Sequence, residues 1–242
     1  VTFNPDIEQL KRQLQACSIA NQIIIVDNDS NNIDEIQEIT IQNKKIQLIK
    51  NEKNLGLAAA LNIGAQAACQ NNLIQYCLFL DQDSEPKPNS IEQLLINYQH
   101  LKNLGVRVGC VGPQLLDPTT HLFHGFPQLS GILWKRVFPK ETDRAVSCTN
   151  LNGSGTLTSI ELLKELQGFR EDFFIDHIDT DWAFRVLHAG YTLWGIPQAI
   201  FSHSMGNKSF RFWFFGWKIW PYRTAQRHYF LFRNAILLMK EP

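Results

Sequence analysis

Two short apolar runs that end in paired acids constrain this chain more than any other feature. Ile23-Ile24-Ile25-Val26 leads into Asp27-Asn28-Asp29-Ser30, and Tyr76-Cys77-Leu78-Phe79-Leu80 leads into Asp81-Gln82-Asp83-Ser84. Apolar runs this short, bounded by polar residues, read as buried strands of a parallel sheet. Ligands of open α/β sheets bind at the carboxyl ends of the strands, so the acids emerge at the functional edge. Asp81 and Asp83 repel each other unless a positive charge sits between them, and a divalent cation on a diphosphate supplies one. Taken alone, the same tripeptide fits a turn after a strand, and Asp27 and Asp29 fit helix capping.

The surrounding pattern places both runs in an alternation of strands and helices. Ile7, Leu10 and Leu14 have helical spacing, as do Ile33, Ile36 and Ile39 within 32–42. Ile46 to Ile49 is a third strand, and Leu55 to Ala68 an Ala-rich helix. Pro86 to Leu104 carries another helix, with Ile91, Leu94, Leu95 and Tyr98 on one face, before a strand at Arg107–Val111. The expected fold class is α/β, a mostly parallel Rossmann-like sheet with helices on both faces. Neither G-x-G-x-x-G nor a Walker loop occurs, so side chains must build any nucleotide site. Asp27 can accept the imide N–H of uracil or thymine.

The second half is less regular. Residues 117–150 read as short strands and a mobile loop, and Asn152-Gly153-Ser154-Gly155 as a tight passage that permits close backbone approach. A helix at 159–167 ends at Gly168. Three acids, Asp176, Asp179 and Asp181, then cluster at the mouth of a helix running to about Ala189. Asp176 fits an N-cap, and Asp181 pairs with Arg185 at i, i+4. Strands at Thr192–Gly195 and Ala199–Ser202 follow, and the second delivers His203, a candidate metal ligand facing Asp81 and Asp83.

Composition narrows the partners. At 242 residues and 44% hydrophobic, the chain supports one large α/β domain or two small ones. Lys plus Arg equals Asp plus Glu at 23 each, so no polyanion partner, including nucleic acid, is expected. No run is long enough to span a bilayer and no signal-peptide pattern is present. The five scattered cysteines, without C-x-x-C spacing, read as reduced thiols of a cytoplasmic protein. The opening Val1-Thr2-Phe3 is already strand-like and lacks an initiator Met, which reads as a trimmed piece. From Lys208 to Lys240, seven basic residues and no acid interleave with aromatics (Phe210, Phe212, Trp213, Phe214, Phe215, Trp217, Trp220, Tyr222). That pattern suits peripheral membrane contact; basic plus aromatic character would also suit nucleic acid, and the segment equally fits a C-terminal helix packed on the core.

Taken together, the chain resembles the family 2 glycosyltransferases of GT-A fold over nearly its whole length. The matching stretches are Thr2-Phe3-Asn4-Pro5, Val26-Asp27-Asn28-Asp29-Ser30, the run from Asn54-Leu55-Gly56-Leu57 to Asn62, Asp81-Gln82-Asp83 and the 173–185 block. Phe174-Ile175-Asp176 with Asp179, Trp182 and Arg185, His203-Ser204-Met205-Gly206, Arg227-His228-Tyr229 and Arg233-Asn234 look most like bacterial dTDP-L-rhamnose-dependent rhamnosyltransferases, which build O-antigen and other cell-wall polysaccharide.

The resemblance implies a catalytic domain over 1–205, with a nucleotide-sugar half at about 1–112 and an acceptor half at about 113–205. An aromatic and basic helical segment follows over 206–242. Asp27 resembles the acid that reads the pyrimidine. Asp81 and Asp83 resemble the D-x-D pair holding Mg²⁺ or Mn²⁺, with His203 as third ligand. Phe3, Asn4, Pro5, Asp29, Asn54, Gly56, Asn62, Gln82 and Arg185 complete the expected nucleotide-sugar contacts. Asp179 matches the second position of the family's Glu-Asp pair, the catalytic base. Ile178 stands where the first acid would be, which leaves Asp181 and Asp176 as reserves. The implied reaction is an inverting transfer of L-rhamnose from dTDP-L-rhamnose to a saccharide or lipid-linked saccharide, on the inner face of the plasma membrane. The same pattern also suits a UDP-hexose donor or a non-catalytic nucleotide-sugar-binding module. A nucleotidyltransferase would need a Gly- and Lys-rich loop that Asn4-Pro5-Asp6 does not supply.

Overall fold

The computed structural model describes residues 1–41, 43–131, 133–203, 209–213, 216–221 and 223–240. The first third alternates as the apolar spacing requires: α1 (Ile7–Ala16), β1 (Ile23–Asp27), α2 (Ile33–Ile41), β2 (Ile46–Lys50), α3 (Leu57–Cys69) and β3 (Tyr76–Leu78). Asp6 caps α1, its carboxylate accepting the Gln9 N–H at 2.8 Å. β1 and β2 pair in parallel. Leu10, Ile25 and Ile36 form the core between this pair and helices α1 and α2.

The middle of the chain holds β4 (Ser84–Pro86), α4 (Ser90–Asn103), β5 (Val108–Leu116), β6 (Phe126–Ser130), β7 (Leu133–Val137) and β8 (Val146–Cys148). Then come β9 (Leu157–Ser159), α5 (Ile160–Glu165), a 3-10 turn at Glu171–Phe173, α6 (Ile178–His188) and β10 (Thr192–His203). β11 (Ser209–Trp213), β12 (Trp217–Pro221) and α7 (Ala225–Leu238) close the described chain. The central sheet runs β3-β9-β5-β10-β4, with β8 also on β10. β5 and β10 are parallel and make the longest pairing, while β4, β8 and β9 run antiparallel to their neighbours. One face packs Leu162, Phe173, Val186 and Leu193, and the other packs Leu94, Tyr98, Val111, Ile196 and Phe201. Helices therefore cover both faces, as the alternation predicts.

Four details differ from the sequence reading. β3 is half-buried and antiparallel to β9, where a buried parallel strand was expected. An apolar cavity of about 490 Å³ lies between β3 and β1, lined by Leu10, Ile24, Val26, Tyr76, Leu78 and Leu80 among others. β5 continues through Gly112-Pro113 to Leu116 rather than stopping at Val111. β10 is one strand rather than two. Its register slips between Ile196 and Ile200, around Pro197, whose ring nitrogen has no hydrogen to donate. Finally, a β11–β12 hairpin precedes the expected C-terminal helix, which is α7. The motif residues 204–206 and the aromatic side chains at 210, 212, 214, 215, 217, 220 and 222 lie outside the described residues.

Candidate active site

The Asp81–Asp83 turn is suspended by amides rather than left to find its own shape. Gln13 of α1 donates through Nε2 to the carbonyls of Asp81 at 2.6 Å and Ser84 at 2.5 Å. Gln9, one turn earlier, donates to the Asp83 carbonyl at 3.1 Å. Gln82 closes a two-way link with Phe3: the Phe3 N–H donates to Oε1 at 2.7 Å, and Nε2 donates to the Phe3 carbonyl at 3.2 Å. The Asp81 N–H donates to Ser154 Oγ at 2.9 Å. Such bonds satisfy backbone groups that the short β3 leaves unpaired and fix where both carboxylates project.

His203 ends β10 directly opposite Ser84 of β4. Its Nδ1 lies 2.6 Å from Ser84 Oγ and 3.4 Å from Asp83 Oδ1. Ser154 Oγ in turn donates to Ser84 Oγ at 2.6 Å. One ligand atom from each of Asp81, Asp83 and His203 falls within 4.8 Å of the other two. Burial pushes the Asp81 carboxyl up, and the neighbouring charges of Asp83 and Asp179 push the same way, with His203 opposing. Burial works against a charged His203, yet its hydrogen bond to Asp83 and the charges of Asp83 and Asp81 carry its pKa above the ordinary imidazole value. Two crowded carboxylates and an imidazole, short of positive charge, are a donor set that fits Mg²⁺ or Mn²⁺.

Asp179 sits in the first turn of α6, where its Oδ1 accepts the Thr180 N–H at 2.9 Å. Burial raises its carboxyl, against the N–H groups of Thr180 and Gly153 and the charge of His177. The loop at 152–155 joins this acid to the first pair. A Cβ on Gly153 would stand 3.7 Å from that of Asp179, and the next residue, Ser154, holds Asp81. Gly155 is required for a separate reason: its φ is +87°, and a Cβ there would lie 2.4 Å from Pro113.

Both reserve acids are committed elsewhere. Asp181 is 1% exposed, receives Arg185 Nε at 2.8 Å and faces Arg170 at 3.6 Å. Asp176 does not cap α6, whose N-cap is the left-handed His177. It instead receives Arg223 at 2.6 Å and Arg227 at 2.7 and 3.0 Å.

The expected nucleotide-sugar contacts divide. Asp27 is buried, bonded to Thr2 Oγ1 at 2.8 Å and to the Ser30 hydroxyl and N–H at 2.5 and 2.9 Å. Phe3 and the left-handed Asp29 are exposed at the same strand ends. Asn4 is exposed and left-handed, its N–H donating to Ser30 Oγ at 2.8 Å, and Pro5 is buried. Asn54 and Gly56 gather on Asn28, whose side chain also receives Asn51 and the Leu55 N–H. Two residues have other roles. Asn62 is 8% exposed and exchanges hydrogen bonds with Phe169, and also donates to Glu171, tying α3 to the segment before α6. Arg185 spends its remaining nitrogens on the Leu166 and Gly168 carbonyls, each at 2.8 Å, and anchors α6 to the end of α5. Gln9, Gln13, Asn28, Ser84 and Ser154 are the supporting residues that sequence reasoning did not assign.

The chain that carries this arrangement has relatives among known proteins. Residues 7–164 match the family model described as glycosyl transferase family 2. The chain belongs to glycosyltransferase family 2. Over its full length it is 27% identical to the dTDP-rhamnosyl transferase RfbF of Shigella flexneri, covering 78% of that protein. An uncharacterized protein of Methanocaldococcus jannaschii is 32% identical over 92 residues, 37% of each chain. Among solved structures, a crystal structure of GalNAc-T7 with UDP, GalNAc and Mn²⁺ superposes with a TM-score of 0.66 at 20% identity. That match covers 84% of this chain and 42% of the other, and carries the GT-A fold alone. Within this family 2 glycosyltransferase, no helix among the described residues is long and apolar enough to cross a membrane.

Proposed function

We propose that this glycosyltransferase transfers L-rhamnose from dTDP-L-rhamnose, with inversion, to a hydroxyl of a saccharide or lipid-linked saccharide of the cell surface. The observation that carries the chemistry is the convergence of Asp81, Asp83 and His203 with Asp179 across the 152–155 loop. Full-length similarity to a dTDP-rhamnosyl transferase supports the donor.

Asp81, Asp83 and His203 would hold Mg²⁺ or Mn²⁺, which when bound supplies positive charge to the diphosphate leaving group. The exposed strand-end backbone around Phe3 would lie against the nucleoside, with Asp27 behind it, held by Thr2 and Ser30. Asp179 accepts the proton of the acceptor hydroxyl as that oxygen bonds to the anomeric carbon. The bond from that carbon to the diphosphate oxygen breaks, and its electron pair leaves with the diphosphate. The raised pKa of Asp179 brings it closer to neutrality, where a general base works best. With both other acids tied up in ion pairs, a single base and a single displacement account for inversion.

The test is a donor panel of dTDP-rhamnose and UDP-hexoses, with Mg²⁺ or Mn²⁺, read by mass spectrometry for nucleotide release and product mass. Turnover with dTDP-rhamnose that stops on adding EDTA and returns with metal is the expected result. Turnover only with a UDP-hexose removes the donor assignment, and full activity in EDTA removes the metal role.

We infer also that α7 touches a membrane surface. Its Tyr229, Phe232, Ile236 and Met239 form one exposed apolar stripe, each more than half exposed, in a segment free of acids from 208 to 240. Phe232→Ser with Ile236→Ser is expected to lower co-sedimentation with phosphatidylglycerol vesicles; unchanged binding would count against the contact.

A further inference from the structure

The inward face of α7 meets the segment that leads into Asp179. Between the 3-10 turn and α6, three non-glycine residues adopt positive φ: Phe174 at 59°, Asp176 at 66° and His177 at 62°. Side chains there rarely hold such angles unless the surroundings impose them. One set of restraints comes from α3: the Leu57 N–H donates to the Phe174 carbonyl at 2.6 Å. Gly56 lies so close that a Cβ on it would fall 2.5 Å from the Phe174 ring.

The other set comes from α7. Asn234 is fully buried, and its Nδ2 reaches three carbonyl oxygens of the loop: Phe173 at 2.8 Å, Ile175 at 2.9 Å and Asp176 at 2.9 Å. Its Oδ1 has no partner among the described residues. The amide orientation follows from this, because turning Oδ1 toward three carbonyls would set acceptor against acceptor. Phe230 stacks on Phe174 with centroids 4.8 Å apart, and Arg223 and Arg227 grip the Asp176 carboxylate. An amide that gathers three carbonyls from four residues of one irregular loop sets the loop's path, and α6 begins where that path ends.

We propose that Asn234 is a positioning residue for Asp179: from α7 it fixes the 173–177 loop and so the start of α6 that presents the carboxylate. The proposal rests on the reading of Asp179 as the base, and adds α7 to the working parts of the site. It also assigns a task to the Arg227 and Asn234 positions, which the donor and proton chemistry leave unused.

Asn234→Ala removes the donor, and Asn234→Asp puts a charged acceptor of nearly the same shape against three carbonyls. Hydrogen exchange is expected to rise across 173–182 in both variants, more in Asn234→Asp, while α4 keeps its wild-type exchange. With active donor and acceptor, kcat is expected to fall about 10²-fold for Asn234→Ala, with donor KM within about threefold of wild type. Wild-type exchange at 173–182 in a folded Asn234→Ala chain would overturn the clamp. So would raised exchange with unchanged kcat, or a loss confined to KM. If both Asn234 variants fail to fold, Arg223→Gln with Arg227→Gln loosens the same loop from its exposed side. Wild-type exchange and kcat in that chain would equally overturn the proposal. The exchange measurement needs no turnover, so its failure is separable from a failure of the base assignment, which Asp179→Asn tests by itself.

Discussion

Burial makes the Asp179 carboxyl harder to ionise, and a carboxylate of higher pKa is the better proton acceptor. Asp179→Asn keeps the side-chain shape and the α6 start but removes that basicity. Its kcat is expected to fall by about 10²–10⁴-fold while dTDP binding, read by calorimetry, stays at the wild-type value. Near-normal turnover would return the proton to another group. Ser84 acts on a different atom. Its hydroxyl, 2.6 Å from His203 Nδ1, sets the ring's orientation, so Ser84→Ala is expected to weaken metal activation by about 10–100-fold. A metal titration of activity checks it, and an unchanged curve would make Ser84 a bystander. At this scale the site was only partly legible. Asp81 and Asp83 stand out because two acids close a strand, where chemistry is expected. Gln9 and Gln13 carry no such sign: a glutamine on an amphipathic helix looks like any solvated position until the turn it supports is in view. Arg185 reads the opposite way: a cation near the base in the sequence invites a substrate role, while its nitrogens serve Asp181 and two carbonyls.

Helix α6 is an element held at both ends. Arg185 ties its middle to the exit of α5, and Asp181 inside it is nearly inaccessible. Removing Arg185 leaves the buried Asp181 with Arg170 at 3.6 Å as its remaining cation, so the cost stays below the about 3–5 kcal/mol of a fully orphaned buried charge. Arg185→Met is therefore expected to lower the urea midpoint and to raise donor KM only as far as folding is lost. A large KM effect in a chain of wild-type stability would restore the substrate role. Behind α6, Gly109 of β5 leaves no room: a Cβ there would lie 2.4 Å from Val186 Cγ1 and 3.0 Å from Tyr191 Cβ. Gly109→Ala is expected to destabilise by about 1–3 kcal/mol, visible as a lowered thermal midpoint. Elements with a clear period were readable from sequence, α1 to α4 above all. β10 was split in two because Pro197 interrupts the apolar run, and the sheet absorbs that proline by slipping register instead of ending the strand. The antiparallel β9 was invisible for a comparable reason: three residues, Leu157–Ser159, carry no period at all.

Across the whole molecule, acid titration has two phases of opposite sign. Burial raises the Asp81 and Asp179 carboxyls in the fold, so without metal they bind protons more tightly folded than unfolded. Lowering pH from neutrality toward the ordinary carboxylate range is thus expected to stabilise the EDTA-treated chain. Asp176 behaves in reverse. Burial alone would raise it, but Arg227 and Arg223 hold it below its ordinary value of 3.8. Its contribution is complete above that value and drains away as pH falls through the depressed one. Urea midpoints measured from pH 7 to pH 2 are expected to rise and then fall; a monotonic decline would mean that Asp81 and Asp179 are not raised.

The cavity between β1 and β3 has a mechanical consequence. The cavity is open to water on one side, and compression drives water into such apolar crevices and parts their walls. The β1–β2 pair meets the six-stranded sheet across that crevice and is a ready cooperative unit. Under hydrostatic pressure the molecule is expected to part at this seam first, with amides of β1 and β2 exchanging before those of β5 and β10. Squeezing would then separate the strand that carries Asp27 from the turn that carries Asp81 and Asp83 while the sheet beneath His203 still holds.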